Sequence, residues 1–298
     1  MPEPATALAG TALRRLARHG PGRAAALGLL LALVLAAWGP ALVPHDPLAH
    51  DVPNRLRPPD LQHPLGTDGF GRDQLARVLA GARTSLSVAL AAVSLAALIG
   101  TLLGVASATA GGRTDLLLQR LIDALLAFPA VVLALLFVAA LGPGRGTVTL
   151  ALATAFTPVV ARVARARCLE VLATEHALAA RALGASARRV ARRHVLPHVL
   201  PTVAVIASGV LTSALVLEAA LSYLGLGLPP PAPAWGRMVY EGASLYLETA
   251  PWLTVFPGVM LAFVALCAAV LGDALRDVLD PTWQAPAAGR PRAPRGRS

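Results

Sequence analysis

Six runs of this chain carry no charged side chain, and each is bounded by titratable ones. They lie between Arg23 and His45, between Arg83 and Arg113, between Asp123 and Arg145, between Arg145 and Arg162, from His198 to Glu218, and between Glu248 and Asp273. Hydrocarbon offers no hydrogen bonds to the backbone, so an apolar run of roughly 20 residues crosses a bilayer as a helix. Only 14% of the 298 residues are charged and 56% are hydrophobic, against about 25% charged in ordinary soluble domains. The expectation is an all-α membrane protein with six transmembrane helices and both termini on one side. The fourth run is the shortest and contains Pro158.

Arginine distribution sets the orientation, because positive side chains stay on the cytoplasmic side. With the N-terminus inside, the inner segments hold nineteen arginines: Arg14, Arg15, Arg18, Arg23, Arg113, Arg120, eight from Arg162 to Arg193 and five from Arg276 to Arg297. The outer segments hold seven, namely Arg55, Arg57, Arg72, Arg77, Arg83, Arg145 and Arg237, offset by nearby Asp and Glu. Both termini are therefore expected inside. The first run follows Arg14-Arg15 but is too long for a signal-peptide core and lacks a cleavage site. The Arg-, Pro- and Gly-rich end of the chain reads as a disordered cytoplasmic tail near anionic lipid.

All 26 basic residues are Arg. A phosphate-binding P-loop needs a lysine, so no standard nucleotide site is expected. Cys168 and Cys267 form no disulfide framework. Trp235, Tyr240, Tyr246 and Trp252 fit an interfacial aromatic belt.

The longest inner segment, 162–195, is the most structured by its sequence. Val163 to Leu183 is rich in helix formers. Gly184 suits a turn with positive φ, Ser186 can cap a second short helix, and Pro197 marks the start of the fifth span. Small residues at Ala179, Ala180 and Ala185 admit a neighbouring backbone, and the arginines beside them can pair with acidic groups or phosphate. Two readings follow from the residues alone: a partner-docking loop, or an amphipathic surface helix on anionic lipid.

The stretch AARALGASARRVARRHVLP, Ala179 to Pro197, resembles the docking loop of binding-protein-dependent ABC importer permeases. That family carries Glu-Ala-Ala, three residues, Gly, nine residues, then Ile-x-Leu-Pro. Ala179, Ala180, Gly184, Leu196 and Pro197 match; Leu178 replaces the Glu and His194 the Ile, as is usual in the peptide and nickel branch. A second stretch, HPLGTDGFGRD, is similar to the outer signature of C-type subunits of dipeptide, oligopeptide and nickel importers. It supplies His63, Pro64, Leu65, Gly66, Thr67, Asp68, Gly71, Arg72 and Asp73. From the residues themselves it is a glycine-bent loop in which Asp68 and Asp73 cap turns or the following helix. The spacing of His63 and its aspartates is no recognisable metal-ligand set. A third stretch, LSYLGLGLPPPAPAWG from Leu221 to Gly236, is similar to the family's proline-rich outer turn, with Ala234 replacing a Ser. LGDALRDVLDP, Leu271 to Pro281, resembles the end of the family's sixth span.

The resemblance implies a type I ABC importer transmembrane fold with a cytoplasmic coupling helix. It implies that Ala179, Ala180, Arg181, Gly184, Ala185, His194, Leu196 and Pro197 form an ATPase-coupling loop. Implied partners are a second, related permease subunit, two cytoplasmic ABC ATPases, an extracytoplasmic solute-binding protein and the lipid bilayer, with no nucleic acid. No cofactor, metal or catalytic residue is expected; ATP hydrolysis falls to partner chains and the cargo is a di- or oligopeptide or nickel. The chain then divides into a cytoplasmic tail (1–23), a first helix with its outer loop (24–84), a core of five helices including the coupling loop 162–197 (85–275), and a C-terminal tail (276–298). A secondary transporter needs coupling-ion groups near the midplane, and the span centres are charge-free. An intramembrane enzyme needs a nucleophile–base or metal constellation, and all seven histidines lie in loops or at span edges. Of the ionisable groups near the membrane, Asp123, Glu218 and Asp273 sit at span ends within reach of water or a partner. Asp123 is expected to pair with Arg120 or the basic loop, and Asp273 with Arg276.

Overall fold

The computed structural model describes residues 15–16 and 19–279. The tails thus lie largely outside the described residues. The chain forms α1 (Gly20–Leu42), α2 (Gln74–Ala110), α3 (Gly112–Leu126), α4 (Ala130–Leu141), α5 (Arg145–Leu172), α6 (Glu175–Ala182), α7 (Ala187–Val190), α8 (Leu196–Tyr223), α9 (Trp235–Leu245) and α10 (Trp252–Leu279). A 3₁₀ turn covers Val52–Asn54 and a single antiparallel bridge joins Thr67 to Asp73.

Five helical stretches are long and apolar enough to cross a membrane, and α3 with α4 makes a sixth crossing if that bent pair counts as one. The third crossing is not one continuous helix. It breaks at Ala127–Pro129 with a bend of 89°. Pro129 has no N–H, and the residue before a proline is pushed out of the α region. The 12-residue α4 rises only about 18 Å, short of the roughly 30 Å hydrocarbon core.

Charge-free runs also misjudge where helices end. Helix α2 has 37 residues and starts at Gln74, so Arg77 and Arg83 ride inside it across the 84–85 boundary. Helix α5 continues to Leu172, carrying Arg162, Arg165 and Arg167; Pro158 lies within it without ending it. A helix costs nothing extra by projecting past the bilayer into water, where arginine is at home. The basic loop therefore begins near Ala173. Its far end joins α8 through a π-turn, Ala191–Val195, so Pro197 lies inside a continuous helical path from Ala187 to Tyr223. The widened turn accommodates a residue that cannot donate to its preceding turn.

The tightest crossing is α2 against α5. A Cβ added at Gly100 would meet Thr157 O at 2.9 Å and Ala161 N at 3.0 Å; one at Gly104 would meet Arg165 N at 2.8 Å and Ala164 Cβ at 2.9 Å. Small residues four apart let two backbones touch, which replaces the hydrophobic drive that lipid removes. Leu86, Val88, Leu152, Leu215 and Leu221 fill the core around this crossing. Trp235, expected in an interfacial belt, is wholly buried. Its Nε1–H donates to Val78 O at 2.9 Å and its N–H to Ser85 Oγ at 3.2 Å. Glu218 is also fully buried rather than at a wet span end, and Ser222 Oγ donates to it at 3.0 Å.

Candidate functional site

The two signature segments sit at opposite ends of the bundle. At the end where α5 finishes and α8 begins, the chain folds as helix, glycine turn, helix. Thr174 precedes α6, and that break between α5 and α6 was not foreseen. Gly184 has φ +82°. Gly184 N–H donates to Arg181 O at 2.9 Å and Ala185 N–H to Ala180 O at 3.0 Å. This pair of bonds is a Schellman cap, which needs a left-handed residue after the helix. Ala180 and Ala185 are thus the two small residues whose backbones close the cap. Ser186 caps α7 by accepting from Arg189 N–H at 3.4 Å.

Three side chains anchor this segment to the bundle: Ala177, Val190 and Val195 are each wholly buried. The opposite surface is open. Leu183 is 89% exposed and Leu178 52%, while Ala179, Arg181 and Gly184 are exposed and Ala180, Ala185, His194, Leu196 and Pro197 are half-buried. Among the described residues, Arg181, Arg188, Arg189, Arg192 and Arg193 form no ion pair. Beside it α3 is fastened to α5. Arg165 grips Asp115 with two bonds, Nε to Oδ1 at 2.8 Å and Nη2 to Oδ2 at 2.6 Å. Asp123 pairs with Arg162, not Arg120. No Asp273–Arg276 ion pair forms among the described residues.

At the other end, residues 51–73 form a loop held by its own backbone. Leu56 N–H donates to Asp68 O at 3.0 Å, Thr67 N–H to Arg57 O at 3.0 Å, Asp51 N–H to Phe70 O at 3.1 Å and Asp68 N–H to Arg72 O at 3.0 Å. Gly71 has φ +78°, and a Cβ there would strike the Asp51 carbonyl. Asp68 accepts from Phe70 N–H and Arg72 N–H, and Asp73 caps α2 by accepting from Ala76 N–H at 2.8 Å. Both aspartates therefore cap, as their sequence suggested. Thr67 O accepts from Trp252 Nε1–H at 3.2 Å, and Gln74 Nε2–H reaches Leu253 O at 3.3 Å, docking the loop on α10. The backbone N–H of His63 beside Asp60 holds that carboxyl below its usual range. His63, Gly66, Thr67, Asp68, Gly71, Arg72 and Asp73 are buried; Leu65 is half-buried and Pro64 exposed.

Asp68 also pairs with Arg72 Nε at 2.7 Å and Arg77 Nε at 3.3 Å. These three, with Phe70, Arg237 and Glu241, line a cavity of about 510 Å³ at this end. Ala234 precedes α9 without any side-chain cap, the direct result of an alanine where a serine hydroxyl is expected. Arg77 and His45 were not connected with Asp68 and Asp73, because those partners lie 9 residues or more away in sequence.

Residues 78–284 match the family described as "Binding-protein-dependent transport system inner membrane component". A putative peptide transport system permease protein of Brucella abortus is 43% identical over 268 residues, covering 90% of each chain. The probable D,D-dipeptide transport system permease protein of Escherichia coli K12 is 38% identical, with 85% of each chain covered. A dipeptide transport system permease protein of Alkalihalophilus pseudofirmus is 36% identical over 84% of this chain and 82% of its own. A solved structure of the MetNI methionine ABC transporter, in inward-facing form, shares the fold with a TM-score of 0.57 at 19% identity, covering 68% of this chain and 97% of the other.

Proposed function

The chain belongs to the family of binding-protein-dependent transport system inner membrane components, and from that premise we propose that it forms half of the translocation pathway of an ATP-driven importer for di- or oligopeptides. It is a multi-pass permease subunit of the bacterial inner membrane. The other half of the pathway is a second, related permease. Two cytoplasmic ABC ATPases dock on the segment from Glu175 to Pro197 and on its counterpart, and a solute-binding protein delivers cargo at the outer end. Both termini face the cytoplasm, in keeping with the arginine distribution.

The observation that carries this reading is the 175–195 segment. It projects a rigid, capped turn whose exposed face is apolar at Leu178 and Leu183 and basic around them. An exposed apolar patch rimmed by unpaired charge is what a protein partner covers. The three buried anchors then transmit any displacement of the segment into α5 and α8. This chain does no chemistry; closure of the ATPases shifts a pre-existing equilibrium between inward and outward access. Peptide cargo is favoured over nickel by the names of the relatives.

The test is ATP hydrolysis by the complex rebuilt in liposomes, with its binding protein empty, loaded with a dipeptide mixture, or loaded with nickel. Stimulation by the peptide-loaded form alone is the expected result. Equal rates in all three conditions, from an intact complex, contradict the peptide assignment.

A further inference from the structure

The outer loop brings together three groups that the sequence spacing did not connect. His63 Nδ1 lies 2.8 Å from Asp73 Oδ2, and His45 Nδ1 lies 3.9 Å from the same oxygen. The two imidazole centroids are 4.9 Å apart. One ligand atom from each residue falls within 4.8 Å of the others. Tetrahedral zinc with ligands at 2.0–2.1 Å separates neighbouring donors by about 3.3 Å, so shifts of under about 1 Å bring these three onto one ion.

We propose that His45, His63 and Asp73 form a binding site for a divalent transition ion of the zinc type, with a fourth position open to water. Two imidazoles and one carboxylate select such an ion over calcium or magnesium, which take all-oxygen shells. The site is preorganised. Asp73 and His63 side chains are only 2% and 9% exposed, and the other Asp73 oxygen is fixed by capping α2. His45, with its side chain 41% exposed, is the gate through which an ion enters. His45 follows the end of α1 by three residues and Asp73 immediately precedes α2. A bound ion therefore ties the end of the first helix to the start of the second across the whole outer loop. This inference does not rest on the importer reading.

The experiment uses the full-length chain in its membrane assembly, purified through a tag free of histidine. Zn²⁺ is titrated against a chromophoric chelator, and Co²⁺ serves as a spectroscopic substitute. One equivalent per chain is expected, with the visible absorption of tetrahedral Co²⁺. His45→Ala removes a half-exposed ligand without touching the helix cap, and is expected to weaken binding at least about tenfold, the lower end of what even an outer-sphere partner contributes. His176→Ala, which alters a separate histidine group at the inner end, is expected to leave binding unchanged. Absence of a bound equivalent overturns the proposal. So does undiminished binding by His45→Ala, or loss of binding only in His176→Ala.

Discussion

At the scale of residues, two positions with positive φ act differently because their surroundings differ. Around Gly184 a Cβ would meet nothing within 4 Å, whereas at Gly71 it would strike the Asp51 carbonyl. Gly71→Ala thus adds a clash to the conformational penalty, and a loss of at least about 1 kcal/mol is expected, read as a lower unfolding midpoint in detergent. Leu183 supplies the complementary case. It is 89% exposed, so Leu183→Glu is expected to leave the midpoint unchanged while reducing co-purified ATPase at least about tenfold, a loss typical of a central interface residue. The capping roles of Gly184, Ser186 and Asp73 were legible in the sequence because caps are local: donor and acceptor lie within a few residues. The Arg165–Asp115 grip was not, since its partners are 50 residues apart and each is one of several charges near that end of the bundle. Trp235 was misjudged for a related reason. An indole reads as interfacial unless one knows that Val78 O waits to accept its N–H.

At the scale of elements, the apolar runs located the crossings but set their ends wrongly. Charge marks where the bilayer ends, not where the helix ends, so Arg77 and Arg162 stayed helical in α2 and α5. Pro129 marks the break in the third crossing, where the chain bends by 89°. What the runs concealed is which helices touch. Gly100 and Gly104 face Thr157, Ala161 and Ala164 with no room for a side chain. Gly104→Leu is expected to cost about 1–3 kcal/mol through overpacking, measured by unfolding of the purified protein, while Gly209→Leu, where an added Cβ meets nothing, is expected to cost far less. A Gly104→Leu protein as stable as wild type would show that the α2–α5 contact contributes little.

At the scale of the whole molecule, the bundle separates two tasks. One end holds a rigid loop, residues 51–73, bonded to itself and to α10. The other presents a capped turn anchored by the buried side chains of Ala177, Val190 and Val195. That contrast suits a protein that receives cargo on a fixed surface and takes force on a protruding one. Both native cysteines are buried, so a thiol introduced at the turn is the sole exposed one among the described residues. Leu183→Cys therefore reports directly on what covers this surface and from which side. In native membranes it is expected to resist a membrane-impermeant maleimide added outside, and to join an ATPase chain when a short thiol-reactive crosslinker is added inside. Labelling from outside, or free labelling inside with no crosslink while the ATPases remain bound, would contradict the coupling role of this segment.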